Sequence, residues 1–274
     1  MTGRWLFDPV LIGGLLTLAL VYFLLTGPLR ARYAPGQAFP RRKAILFYSA
    51  LVVFYLSEGS PLHDMAELYS FGAHMFQHNM LSYVVPTLML RGTPDWLLRP
   101  LFSQRYVKPV VKVMTSPVIA FSVFSLFFSL WHLPVIYEGA LQNSALHHFE
   151  HFLFLITSLM LWWPLLSPLP EFPRMQHASA LVYLFLLPIA QIPVFAAVTF
   201  ADHAIYTTYA NSPHVLFGDA RADQTFGGAL MKVAGLVAFG LPFILTFFEW
   251  YRKENKGSYS QQHTPRAKPN PTSR

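Results

Sequence analysis

The sequence predicts an all-α fold: a polytopic bundle of seven transmembrane helices, N-terminus outside and C-terminus in the cytoplasm. Three observations predict it. Of 274 residues, 54% are hydrophobic and only 12% are charged, far below the roughly one quarter charged that soluble domains carry. The apolar runs reach about 20 residues, the length of a helix that crosses a bilayer, whereas barrel strands would be about half as long and alternate in polarity. Lysine and arginine gather in alternate loops, and such loops stay cytoplasmic.

Taken in order, the first span covers about 9 to 29; only Arg4 precedes it and no small-residue cleavage pattern follows, so it reads as a retained helix and not a signal peptide. The second, about 43 to 58, is the shortest. The third, about 68 to 90, carries "HMFQH", and the fourth, about 115 to 133, ends in "WH". The fifth, about 145 to 166, carries "HHFEH"; the sixth covers about 178 to 200 and the seventh about 225 to 250. Pro86, Pro134, Pro164, Pro188, Pro193 and Pro242 are expected to kink or end helices. These spans form one domain, residues 1–252, and the polar, proline-bearing segment 253–274 reads as a disordered cytoplasmic tail.

The net charge of +7 is topological. Arg30, Arg32, Arg41, Arg42 and Lys43 occupy the first loop, Arg91, Arg99, Arg105, Lys108 and Lys112 the third, and Arg174 the fifth, with more in the tail. Membrane lipid is the partner this implies, and nucleic acid is not needed to explain it. Cysteine is absent, which excludes disulfide scaffolds, Cys-x-x-Cys redox chemistry and thiolate metal sites.

With this orientation His74, His78, His147, His148 and His151 fall in the outer half of the membrane. The outer loops add His63, His132, His203 and His214, leaving His177 and His263 for the cytoplasm. Residues four apart on a helix lie about 40° apart around its axis. His74 therefore shares a face with His78, and His147 with His151. Two helices, each offering such a pair, can close their nitrogens around a metal inside a polar cavity open to the outside. His148, His132, His63 and Met75 are further candidate ligands; Gln77, Glu150, Asp64, Asp223 and Gln224 are candidates to orient them by hydrogen bonds. Imidazole suits copper, zinc and iron, and thioether shifts preference toward Cu(I).

Each residue also has a plainer reading. A single intramembrane histidine often only knits helices together, but paired histidines with a glutamate are costly enough in a membrane to imply function. Trp131, Trp162 and Trp163 read as interfacial anchors. Asp8, Glu58, Glu138 and Glu249 sit near span ends, where a solvated role suffices. Lys232 needs a partner within its span, with Asp223 or Glu150 in reach.

Three functions compete at this point. One is metal handling without turnover, copper being the expected ion. Another is a zinc hydrolase, since "HHFEH" fits H-x-x-E-H, in which the glutamate is the general base. The third is a haem-binding electron carrier with axial histidines. The twin motif has Gln77 where a base would sit, which favours duplicated ligands over duplicated catalysis.

The motifs "HMFQHNML", "LWHLPVIYEGAL", "LHHFEHFLFL", "LWWPLL" and "DQTFGGAL" occur in that order between about 40 and 250. Through them the chain resembles the CtaG family of multi-span plasma-membrane proteins that assist assembly of bacterial haem-copper cytochrome c oxidases. The resemblance implies a role in maturing the oxidase, as a metal-handling assembly factor acting on the subunit that bears the copper centre. It points to His74, His78, His132, His147, Glu150, His151, Asp223 and Gln224. The sequence departs from the family pattern at Lys232, where an aromatic residue is expected.

Overall fold

The structure, a computed structural model, describes residues 4–212 and 218–262. His214, His263 and most of the tail 253–274 lie outside them or at their edge. Among the described residues there are helices and no strands. The helices that frame the site are α1 (Pro9–Thr26), α2 (Arg41–Glu58), α3 (Pro61–Leu68), α4 (Phe71–Asn79), α5 (Val85–Gly92), α6 (Pro117–Trp131), α7 (Pro134–Gln142), α8 (Ser144–Leu166), α9 (His177–Ala190), α10 (Ile192–Thr199) and α11 (Ala220–Gln262).

Four segments are long and apolar enough to cross a membrane: α1, α8, the α9–α10 stretch His177–Thr199, and α11. Six qualify if two bent pairs each count as one span, α2 with α3 (45°) and Val107–Met114 with α6 (66°). The segment expected to cross at about 68 to 90 is helical throughout Phe71–Gly92, with α4 running through a π-helical turn, Met80–Val84, into α5. The histidines, Gln77 and Asn79 lower its hydropathy, and the wide turn divides it. These apolar helices make the chain a membrane protein.

Local chemistry sets the ends. Asp8 caps α1 through Leu11 N (2.7 Å), with Pro9 at the first helical position. Asn143 caps α8 through Leu146 N (3.1 Å). Pro86 lacks an N–H, so it leaves the Ser82 carbonyl without its i+4 partner; the Trp162 indole on α8 donates to that oxygen instead (2.9 Å). Trp131, Trp162 and Trp163 are all buried, so they are packing residues and not the expected interfacial anchors. Trp162 stacks on Phe239 of α11, ring centroids 5.5 Å apart.

The core runs through α4, α6, α8, α9 and α11. A smaller cluster joins α1 to α2, where Tyr22 stacks on Phe47 at 4.1 Å. Large apolar side chains of α1 and α11, among them Leu16, Phe23, Val237 and Leu241, are exposed, as lipid-facing positions require. The basic loops meet at one end of the bundle: Arg99 Nε lies 2.7 Å from Glu171 Oε1, and Lys43 Nζ donates to Thr93 O at 3.4 Å. At the opposite end lie the α2–α3 corner and the starts of α4, α8 and α11.

Lys232 has neither expected partner. Its ammonium donates to Pro188 O (3.0 Å) and lies 5.8 Å from the centre of the Phe195 ring. Because α9 ends at Ala190, the Pro188 carbonyl is one of the last-turn acceptors with no intrahelical donor, a place where a cation is favoured.

Candidate metal centre

Three corners of the chain meet at the end opposite the basic loops. Ser60 caps α3 through Leu62 N (3.2 Å), placing His63 and Glu67 one turn apart. Ser70 caps α4 through Ala73 N (3.0 Å), placing His74 and His78 on its inner face. α8 brings His147, Glu150 and His151, all within two turns of its start.

Five imidazoles converge there. Ring centroids are 4.4 Å apart for His74 and His78, 4.3 Å for His147 and His151, and 5.1 Å for His78 and His151. His63 joins at 5.6 Å from His147 and 6.2 Å from His151. His74, Gln77, His147, Glu150 and His151 are each at most 2% exposed, and His63 and His78 are at most 6% exposed. The cluster is packed shut and is not the open cavity expected; Glu67, with 30% of its side chain exposed, is its edge toward solvent.

The hydrogen bonds orient several rings inward. His151 Nδ1–H donates to Glu58 Oε2 (2.7 Å), so its Nε2, which has no hydrogen-bond partner, carries the lone pair. Gln77 Nε2 donates to the other oxygen of Glu58 (3.0 Å). His74 Nδ1 lies 2.8 Å from both the Tyr137 and the Tyr209 hydroxyls. Burial pushes both phenols well above the usual tyrosine range, so they stay protonated. Tyr209 commits its proton to Ala66 O (2.7 Å). Its oxygen is thus left to accept, and His74 Nδ1–H is the donor that suits it. The His74 Nε2 lone pair then faces His78 Nε2 at 2.7 Å.

Glu150 Oε1 lies 3.4 Å from His78 Nε2, and Glu150 Oε2 lies 3.7 Å from His147 Nδ1. Neither Glu150 Oε1 nor either nitrogen of His147 has a hydrogen-bond partner. Buried polar atoms are seldom left so. Donor atoms of His74, His147, Glu150 and His151 all lie within 4.8 Å of one another, as do those of Glu58, His63 and His151, and those of His63, Glu67 and His147. These groups can hold a metal ion.

A family model described as the cytochrome c oxidase caa3 assembly factor, Caa3_CtaG, matches residues 20–253. The chain belongs to that family. No curated protein and no solved structure matches it.

Other expected site residues of this assembly factor fall elsewhere. His148 is exposed, with Nδ1 2.6 Å from its own helix's Ser144 O, because a neighbour in sequence points about 100° away around a helix. His132 closes α6 through Nδ1–H to Phe128 O (2.7 Å) and belongs to none of the three groups. Met75 is buried in the hydrophobic core. Asp64 accepts from Arg4 N (3.0 Å). Asp223 accepts from Ser70 Oγ (2.7 Å) and Gly72 N (3.2 Å), so it fixes the start of α4 and acts on His74 only through the backbone. Gln224 ties Ile205 N (2.6 Å) and Val198 O (3.0 Å) to α11.

Two glutamates were not expected at the site. Glu58, expected to be solvated at a span end, is 6% exposed and holds His151; Glu67 faces His63 and His147. Glu138, likewise expected to be solvated, accepts from Thr208 Oγ1 (2.6 Å) and N (3.1 Å). The available signal is that inward-facing histidines need anionic orienting partners, and Glu58 and Glu67 flank His63 at the α2–α3 corner.

Proposed function

We propose that this assembly factor takes up copper at the histidine cluster and delivers it to the copper-bearing subunit of the oxidase. The observation that carries the reading is the convergence of His74, His147, Glu150 and His151 within ligand distance of one another, with His78 Nε2 2.7 Å from His74 Nε2 and several of these donor atoms having no other partner. The carboxylates of Glu58, Glu67 and Glu150 add negative charge around them, which a bound cation offsets. With Met75 in the core, the donors are nitrogen and oxygen, a set that suits Cu(II), and among divalent ions copper binds such sites most tightly.

The reading includes seven crossings of the plasma membrane, the basic loops inside by charge asymmetry and the cluster near the outer face, so that copper arrives from outside. Glu150 sits among the imidazoles as a further donor, which speaks for metal holding over a hydrolase base. The rings stand too close together to admit a porphyrin between them.

The test is the double variant His78→Ala/His151→Ala, expressed in cells that depend on it. Oxidase copper and oxidase activity are expected to be lost while the assembly factor's membrane level stays near normal. Active, copper-replete oxidase alongside that variant would defeat the reading.

A further inference from the structure

We propose that the protein holds a second cation position at the rim of the cluster, formed by His63, Glu67 and His147, from which an ion reaches the buried centre across the His147 ring. It rests on the reading of the buried cluster as a copper centre and adds how that centre is filled.

A buried centre with no open cavity needs a way in. Glu67 is the one carboxylate of the cluster with substantial exposure, 30% of its side chain against 7% for Glu58 and 1% for Glu150. Its Oε1 stands 3.3 Å from His63 Nε2 and 3.2 Å from His147 Nε2, and these two imidazoles with one carboxylate oxygen lie within mutual ligand distance. Neither nitrogen of the buried His147 makes a hydrogen bond.

His147 is common to the rim group and the buried group. Its Nε2 faces Glu67 at the rim, and its Nδ1 faces Glu150 in the interior at 3.7 Å. One ring thus offers a lone pair to either position: as an ion passes from Nε2 to Nδ1, Nδ1 gives its proton to the Glu150 carboxylate and Nε2 takes one from water at the exposed Glu67, without a change of fold.

His63 has the means to bind. Gln77 Nε2 lies 3.1 Å from His63 Nδ1, while Gln77 Oε1 has no partner. The His63 Nε2 stands on the rim side, 3.3 Å from Glu67 Oε1. Two imidazoles and a carboxylate make a mixed nitrogen and oxygen set suited to Cu(II) or Zn(II).

The experiment uses the full chain purified in detergent, with Cu(II) and Zn(II) salts as probes. The variant His74→Asn/Glu150→Gln disables the buried centre; asparagine keeps an acceptor near the position of Nδ1, and glutamine keeps the shape of the glutamate. By equilibrium dialysis and elemental analysis this variant is expected to keep one ion per chain, lost when His63→Gln/Glu67→Gln is added. In the otherwise native chain, Glu67→Gln is expected to slow loading of the buried centre at least about tenfold, in line with losses seen when groups around a metal are altered. Circular dichroism and monodisperse elution check the fold of each variant. A centre-less variant that binds no ion, or a Glu67→Gln chain that loads at the native rate, would overturn the proposal. The copper reading fails separately, by oxidase copper that is indifferent to His78 and His151.

Discussion

A buried imidazole becomes a useful ligand only when something fixes which nitrogen carries its proton. Glu58 does this for His151, accepting from Nδ1 at 2.7 Å while Gln77 secures its other oxygen at 3.0 Å. Glu58→Gln keeps the shape but removes the charge that holds the Nδ1–H tautomer. Copper affinity is expected to fall about 10- to 100-fold, read by competition with a chromophoric chelator, while His148→Ala, on the exposed flank, leaves it unchanged. Native affinity in Glu58→Gln would remove His151 from the ligand set. The pairing of His74 with His78 and of His147 with His151 was legible because four residues nearly complete a turn. Glu58 was not, because it lies 93 residues from His151 in the chain and nothing local announces that contact.

Elements carry these residues to one place, and the start of α4 shows how. Asp223 on α11 accepts from Ser70 Oγ and Gly72 N, and α11 approaches α4 so closely that a Cβ on Gly72 would stand 2.8 Å from Phe226 Cδ1. At Gly227 a Cβ would collide with the Phe71 ring and come 3.1 Å from Gly72 Cα. The motif "DQTFGG", whose acid and amide are the expected orienting partners of the histidines, serves instead as the seat of the His74 helix, since side-chain chemistry alone does not separate a group that orients a ligand from one that caps its helix. Gly227→Ala is therefore expected to destabilise the protein by about 1–3 kcal/mol, the usual cost of overpacking, and to weaken copper binding with it. Gly240→Ala, where nothing lies within 4 Å of the added methyl, is expected to be neutral or slightly stabilising. Denaturant unfolding in detergent checks both, and equal stability of the two variants would show that the α4–α11 contact can relax.

Across the whole molecule the charge is segregated, with basic loops at one end and Glu58, Glu67 and Glu150 among five imidazoles at the other. The class of fold was legible from hydropathy because lipid demands long apolar helices. The bends were not, since a π-helical turn at Met80–Val84 and the 45° and 66° corners depend on partners far off in the chain, such as Trp162 for Ser82. This segregation bears on stability. A carboxylate-rich, nearly solvent-free cluster costs free energy to assemble without a cation, and an ion that binds only the folded chain stabilises it by mass action, about 2.7 kcal/mol at a hundred times its dissociation constant. Chelator-stripped protein is therefore expected to unfold at a lower temperature than copper-loaded protein, the gap widening with free copper. In His78→Ala/His151→Ala that gap is expected to close, because the ion has lost the His151 imidazole and the ring that flanks His74, whereas any difference in Tm between the stripped forms reflects packing alone. The decisive quantity is the difference between loaded and stripped protein within each variant. An equal copper-induced rise in both would place the stabilising ion outside this cluster.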